Sequence, residues 1–170
     1  SHWPACSGWS PESLARSFPD REVQVSSSRL ALFDYHVRGE GHSVRIEPMA
    51  LSELGERISG KERDDGARYY LQQADVEGVF PELLGDIEFP HWISGANTED
   101  SSDERLSSQL WLGESGCISP LHYDMFNNCF AQIFGTKKFI IAPPESYEDL
   151  YPSVLDEKFH LSRVDPNRPD

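Results

Sequence analysis

His122-Tyr123-Asp124 is the stretch of this sequence best equipped for chemistry. On a β-strand, residues i and i+2 face the same side, so an imidazole and a carboxylate at this spacing can converge on one ion. They make up two thirds of a facial set of two histidines and one carboxylate. That set leaves positions open on Fe(II) for oxygen and a cosubstrate. The chain of 170 residues holds 29 acids and six histidines, so composition alone readily produces such a pair, and its context has to carry the weight. His2, His36, His42 and His91 have no acid two positions on and receive no role, and His160 reads as an exposed loop residue. No Gly-x-Ser-x-Gly elbow is present, which speaks against a Ser-His-Asp hydrolase. Cys6, Cys117 and Cys129 are odd in number and lack CxxC spacing, so they suggest neither a disulfide framework nor a zinc site. A reducing compartment is expected.

The elements around the pair follow from periodicity. Ser119-Pro120-Leu121 leads into it and Asn127-Asn128 leads out. Residues 128–134 then alternate and 137–142 read again as a strand, about a two-residue turn at Gly135-Thr136. Pro143-Pro144 ends that hairpin, and Ser146 to Leu150 reads as one helical turn. Trp111, Phe130, Phe134 and Phe139 fall at strand spacings and are expected in the core. Earlier in the chain, Ser10 and Pro11 open a short helix carrying Leu14 and Phe18, with Pro19 ending it. Leu51, Leu54 and Ile58 form one apolar stripe on a second helix, closed by Gly60. Residues 22–25, 43–46, 69–73, 87–90 and 106–112 read as strands or extended segments, and Pro81 to Leu84 as a brief turn. Residues 97–105 contain no apolar side chain and read as a solvated loop. Several short strands at regular spacing predict a mostly β protein, an antiparallel barrel or sandwich with peripheral helices.

The charge balance narrows the partners. Fifteen basic against 29 acidic residues give a net charge of −14, and no basic patch relieves it, so nucleic acid and anionic membrane surfaces are disfavoured. A basic polypeptide fits better, and the alternative is that the acidity merely keeps the protein soluble. The longest apolar run, about Phe139 to Ala142, is far too short to cross a bilayer as a helix. The chain starts without Met or a leader pattern, so it reads as a trimmed piece.

Trp111-Leu112-Gly113, Gly116, the segment from Ser119 to Lys138, Pro143-Pro144, Leu150-Tyr151-Pro152 and the run Val164 to Asp170 together resemble the JmjC-type cupin family of Fe(II)- and 2-oxoglutarate-dependent dioxygenases. Within it they look nearest the asparaginyl hydroxylase that inhibits hypoxia-inducible factor and related protein hydroxylases. The resemblance covers residues 69–170 well and residues 1–68 loosely. It implies a double-stranded β-helix, with residues 1–68 packing on the first part of the barrel formed by 69–170. By the same resemblance His122 and Asp124 match iron ligands. Lys137 matches the lysine that pairs with the distal carboxylate of 2-oxoglutarate. Asn128 matches a cosubstrate contact, and Tyr70 and Ser119 match hydroxyl donors to that carboxylate. If Tyr69 replaced Tyr70 in register, the two would exchange roles. The implied substrate is a protein side chain, and the implied location is intracellular, nuclear or cytoplasmic.

One feature of the family is missing. Its third iron ligand, a histidine on a later strand within a Gly-Asp-x-x-Phe-x-Pro context, has no match, and the closing strands are expected beyond Asp170. A barrel without them exposes sheet edges and apolar interior. The competing reading is a catalytically silent cupin-like interaction module. Oligomeric state and target residue cannot be read.

Overall fold

The computed structural model describes residues 3–33, 44–59, 66–88, 107–124, 127–152, 161, 162 and 164. A four-residue helical turn, α1 (Ala5–Gly8), leads into α2 (Pro11–Ser17). Ser10 sits in extended backbone and its Oγ accepts from Ser13 N, while the Ser13 side chain takes the Ser10 N–H in return. This reciprocal cap, with proline at the first helical position, starts the helix where the sequence places it. Helix α3 (Leu51–Ile58) turns Leu51 and Leu54 into the core. It lies so close to α2 that a Cβ on Gly55 would come 2.6 Å from Ala15 Cβ, so only glycine fits there. Ser59 caps this helix. Gly60, expected to close it, lies outside the described residues.

The strands β1 (Glu22–Ser28), β2 (Arg45–Ala50), β3 (Arg68–Asp75) and β4 (Gln109–Gly113) form one antiparallel sheet in the order β2-β1-β3-β4. Val25 pairs with Leu71, which pairs with Leu112. Ser26 pairs with Tyr70, which pairs with Gly113. Paired residues share a face, so register divides the sheet into two chemically distinct sides. One side carries Val23, Val25, Met49, Leu71 and Leu112. It is covered by Leu14, Leu51 and Leu54 together with Val76 of the short helix α4 (Val76–Val79), Phe80 and Leu83. The other side carries Ser26, Tyr70, Trp111 and Gly113. Residues from β1 and from β3 share this sheet, so sequence on both sides of position 68 builds one core.

β1 runs three residues past the expected Glu22 to Val25. Ser26, Ser27 and Ser28 are buried there despite their polarity, and Ser28 Oγ is satisfied by donating to the Leu32 carbonyl at 2.9 Å. β3 bulges between Leu71 and Ala74, with Gln73 at φ 55°. Pro81 to Asp86 forms a 3-10 turn, and Asp86 Oδ2 accepts from Trp9 Nε1 at 2.9 Å, tying the amino-terminal segment to this turn. The loop expected at 97–105, along with Phe89, Pro90, His91 and His160, lies outside the described residues.

The expected hairpin departs from prediction. Gly135, at φ 74°, marks the reversal, and the Phe130 and Phe139 rings meet across it at 5.0 Å. Among the described residues, however, 127–142 form no paired strand. Phe130, Phe134 and Phe139 are exposed and not in the core, and Trp111 is only partly covered. The physical reason is that no described strand layers over this arm, so its alternating apolar residues have nothing to pack against. Pro144–Ser146 and Glu148–Leu150 follow as two short 3-10 turns.

Candidate functional site

The Tyr70 and Lys137 part of the site stands on the side of the sheet away from the helices. After β4, Arg68 Nη1 holds the turning chain through Glu114 Oε1 at 3.2 Å and the Ser115 carbonyl at 2.7 Å. Ile118 then bridges to Leu32, its N–H donating to the Ala31 carbonyl and its carbonyl accepting from Phe33 N, each at 2.8 Å. Ser119 follows directly and is partly covered. His122 forms an antiparallel bridge with Leu161, and the Leu121 carbonyl accepts from Ser162 N at 2.8 Å. The chain leading into the pair is therefore tied down at Ile118 and again at Leu121 and His122.

His122 Nδ1 lies 2.7 Å from the Pro120 carbonyl. A carbonyl can only accept, so Nδ1 carries a proton, and in the neutral ring Nε2 presents its lone pair. That Nε2 faces Asp124 Oδ1 at 3.8 Å. The other carboxylate oxygen, Oδ2, accepts from Asn128 Nδ2 at 2.5 Å, which fixes the orientation of Asp124. Two cis bonds of about 2.1 Å place their donors about 3.0 Å apart, so an ion would have to draw these two groups slightly together. An imidazole nitrogen beside a carboxylate oxygen, each steadied by an outer hydrogen bond, supplies the donor types of two protein positions of a facial iron site. Among the described residues, no third His, Cys, Asp or Glu joins them. Tyr123, between the two, turns elsewhere. Its ring packs edge-on against Tyr147 at 6.1 Å, and loss of water around its hydroxyl, followed by the neighbouring Tyr147, raises its pKa.

Lys137 and Tyr70 make a second cluster. Lys137 Nζ donates to Tyr70 Oη at 3.3 Å. Lysine Nζ lies 4.8 Å from the Phe130 ring centroid, 5.4 Å from that of Phe139 and 5.5 Å from that of Trp111. Loss of hydration around the ammonium lowers its pKa below the usual lysine value. Lys137 as a whole stays exposed, so the cluster is open to a ligand. Among the described residues no carboxylate pairs with it, so an incoming anion meets an ammonium whose charge is not already neutralised. Tyr69 faces the opposite side, where Arg57 Nη1 donates to its hydroxyl at 2.6 Å. The register thus puts Tyr70 beside Lys137. Of the residues singled out from sequence, the structure groups His122, Asp124 and Asn128 in one cluster, and Tyr70 and Lys137 in another. Asn128 holds the carboxylate of Asp124.

Sequence reading missed the ring walls of Lys137 and the role of Gly113. A Cβ at Gly113 would lie 2.8 Å from Tyr70 Cδ2, so the Tyr70 ring rests directly on glycine backbone. The Trp111-x-Gly113 alternation opposite Tyr70 was the available signal.

A family model described as a cupin-like domain matches residues 1–170. The chain belongs to the cupin-like domain family. The mostly β reading and the JmjC kinship drawn from the motifs agree with this membership. Jumonji C domain-containing protein 5 of Drosophila melanogaster is 26% identical over 96% of this chain and 39% of its own length. Lysine-specific demethylase 8 of Xenopus tropicalis is 30% identical over 99% of this chain and 35% of its own length. The human bifunctional peptidase and (3S)-lysyl hydroxylase JMJD7 is 28% identical over 84% of this chain and 45% of its own length. This cupin-like chain spans less than half the length of each of these relatives.

Proposed function

We propose that this chain carries the ligand-bearing part of an Fe(II)- and 2-oxoglutarate-dependent oxygenase that hydroxylates a protein side chain. The observation that carries the reading is the convergence of His122 Nε2 and Asp124 Oδ1 at 3.8 Å, with Pro120 and Asn128 fixing both groups from behind. His122 and Asp124, with a third ligand, would hold the iron, which would supply oxygen activation coupled to oxidative decarboxylation of 2-oxoglutarate to succinate and carbon dioxide. The chain's own residues bind and orient. His122 offers a lone pair in a fixed tautomer, and Asn128 keeps one oxygen of Asp124 occupied so that the other stays aimed at the site. Lys137 takes the distal carboxylate of the cosubstrate as a point charge. Tyr70, whose hydroxyl accepts from Lys137, is a hydroxyl donor to the same carboxylate. Ser119 is a further hydroxyl donor to that end.

The proposed substrate is a basic side chain or a side chain within a basic segment. A net charge of −14 favours it, and two relatives bear names referring to lysine. A second reading, an interaction module without turnover, is favoured by one observation: only two candidate ligands converge among the described residues.

The experiment separates the two readings. Succinate release from 2-oxoglutarate is measured with Fe(II) and oxygen in the complete protein, which would supply the third ligand, alongside Mn(II) binding without turnover. The oxygenase reading expects both activities and expects Asp124→Ala to abolish release and weaken Mn(II) binding. Unchanged release in Asp124→Ala overturns the ligand assignment. Absence of both activities in the parent protein favours the interaction module.

A further inference from the structure

The rings around Lys137 do more than fill space. Phe130 and Phe139 lock together edge to face at 5.0 Å and 71° across the Gly135 turn. On the sheet, Trp111 packs on Tyr70 at 5.7 Å, and Tyr70 packs on buried Phe33 at 5.3 Å. The ammonium lies between these two ranks, within 5.5 Å of the three centroids of Trp111, Phe130 and Phe139. Aromatic faces attract a cation at such distances. A lysine otherwise carries a compact charge on a flexible four-carbon stem, and clamping an anion costs that freedom at the moment of binding.

Resting on the anion-site reading above, we propose that Phe130, Phe139 and Trp111 are positioning residues that hold the Lys137 ammonium in place for a carboxylate and admit only an apolar stem behind it. The ring walls restrict the ammonium before ligand arrives, so less freedom is lost on binding. Tyr70 Oη lies 3.3 Å from Nζ, and the pair presents two donors side by side, a spacing that suits the two oxygens of one carboxylate. The surfaces next to that pair are aromatic carbon, which accommodates methylene groups and leaves a hydroxyl or amino substituent without a partner. The site therefore selects a dicarboxylate whose chain next to the distal acid is unsubstituted. The rings act through Lys137, and they need not touch the reacting atoms.

The test uses the whole chain. In the unliganded protein, the ε-methylene protons of Lys137, assigned by their loss in Lys137→Arg, should be shifted upfield by the ring currents. Lysine protons at ordinary positions overturn the proposal. Calorimetry with 2-oxoglutarate in Mn(II) should show affinity falling about three- to tenfold in Phe130→Leu and in Trp111→Leu. Phe130→Tyr, which keeps an aromatic face, should bind within about twofold of the parent. Under turnover, Phe130→Leu should raise the KM for 2-oxoglutarate and leave kcat near the parent value, which a general structural defect would not do. If Phe130→Leu fails to fold by circular dichroism, Phe139→Leu and the unsubstituted protein's spectrum decide. Parent protein without affinity for 2-oxoglutarate overturns the anion-site reading. Parent affinity that survives loss of the rings overturns this proposal alone.

Discussion

The two sides of this molecule use the same kinds of residue and reach opposite ends. Where α2, α3 and α4 cover the sheet, Val25, Leu51, Leu54 and Phe80 are wholly buried. On the arm that follows Asn127, Phe130 and Phe139 are about half exposed and Ile141 is 86% exposed. Hydrophobicity does not separate the two groups, since the arm is as apolar and as regularly alternating as the strands. What differs is the presence of a second layer. Short helices of about one to two turns, drawn from three separate parts of the chain, supply it on the first side. On the arm, the apolar residues that do find partners find each other, and in doing so they enclose the ammonium of Lys137. Stability and candidate chemistry are thereby placed on opposite sides of one sheet.

That comparison can be broken most directly by truncating the same residue type on each side. Phe80→Ala should lower unfolding free energy by about 3 to 5 kcal/mol, because it leaves a cavity in a closed core. Phe134→Ala, at an exposed position, should stay within about 0.5 kcal/mol of the parent. Urea denaturation followed by circular dichroism measures both. Similar losses would mean that the arm is as closely packed as the core.

Next in size is a contrast between neighbours. Lys137→Ala should weaken 2-oxoglutarate binding by about 1.5 to 3 kcal/mol, the range for a hydrogen bond to a charged group, and Lys138→Ala should not. Only Lys137 has its ammonium among the rings. pH sharpens the contrast. Dehydration lowers the folded-state pKa of Lys137, so between that value and the ordinary lysine value of about 10.4 the unfolded chain binds more protons than the folded one. Keeping the ammonium charged therefore works against folding below the lowered pKa, and this penalty is relieved as pH rises through the window. Anion binding runs the other way and is lost over the same window, because it needs the ammonium. Titration calorimetry across alkaline pH should show affinity falling earlier than for an ordinary lysine. A flat profile would remove Lys137 from the anion site.

The smallest effect expected is at the floor of Tyr70. Gly113→Ala places a methyl 2.8 Å from a ring carbon and should cost about 1 to 3 kcal/mol of stability through overpacking. Ring displacement should also weaken 2-oxoglutarate binding. A fully stable variant with parent affinity would show that Tyr70 shifts without consequence for the site.

Local chemistry was enough to read much of this protein. Ser10 and Pro11 announce a helix because a cap and a fixed φ act within four residues, and Leu51, Leu54 and Ile58 announce another because their spacing is the helix's own. The motifs flanking His122-x-Asp124 likewise resembled the cupin-like family to which the chain belongs. Other features depended on contacts between residues far apart in sequence. Pairing of Ser26 with Tyr70 and of Tyr70 with Gly113 decided that Tyr70, and not its neighbour Tyr69, stands beside Lys137. The same fold turned Asn128 onto Asp124 and set Trp111 against a lysine 26 positions later. Alternation tells which residues share a face, but it carries no information about what that face will meet. For that reason Phe130 and Phe139, read as core, became the walls of an open site.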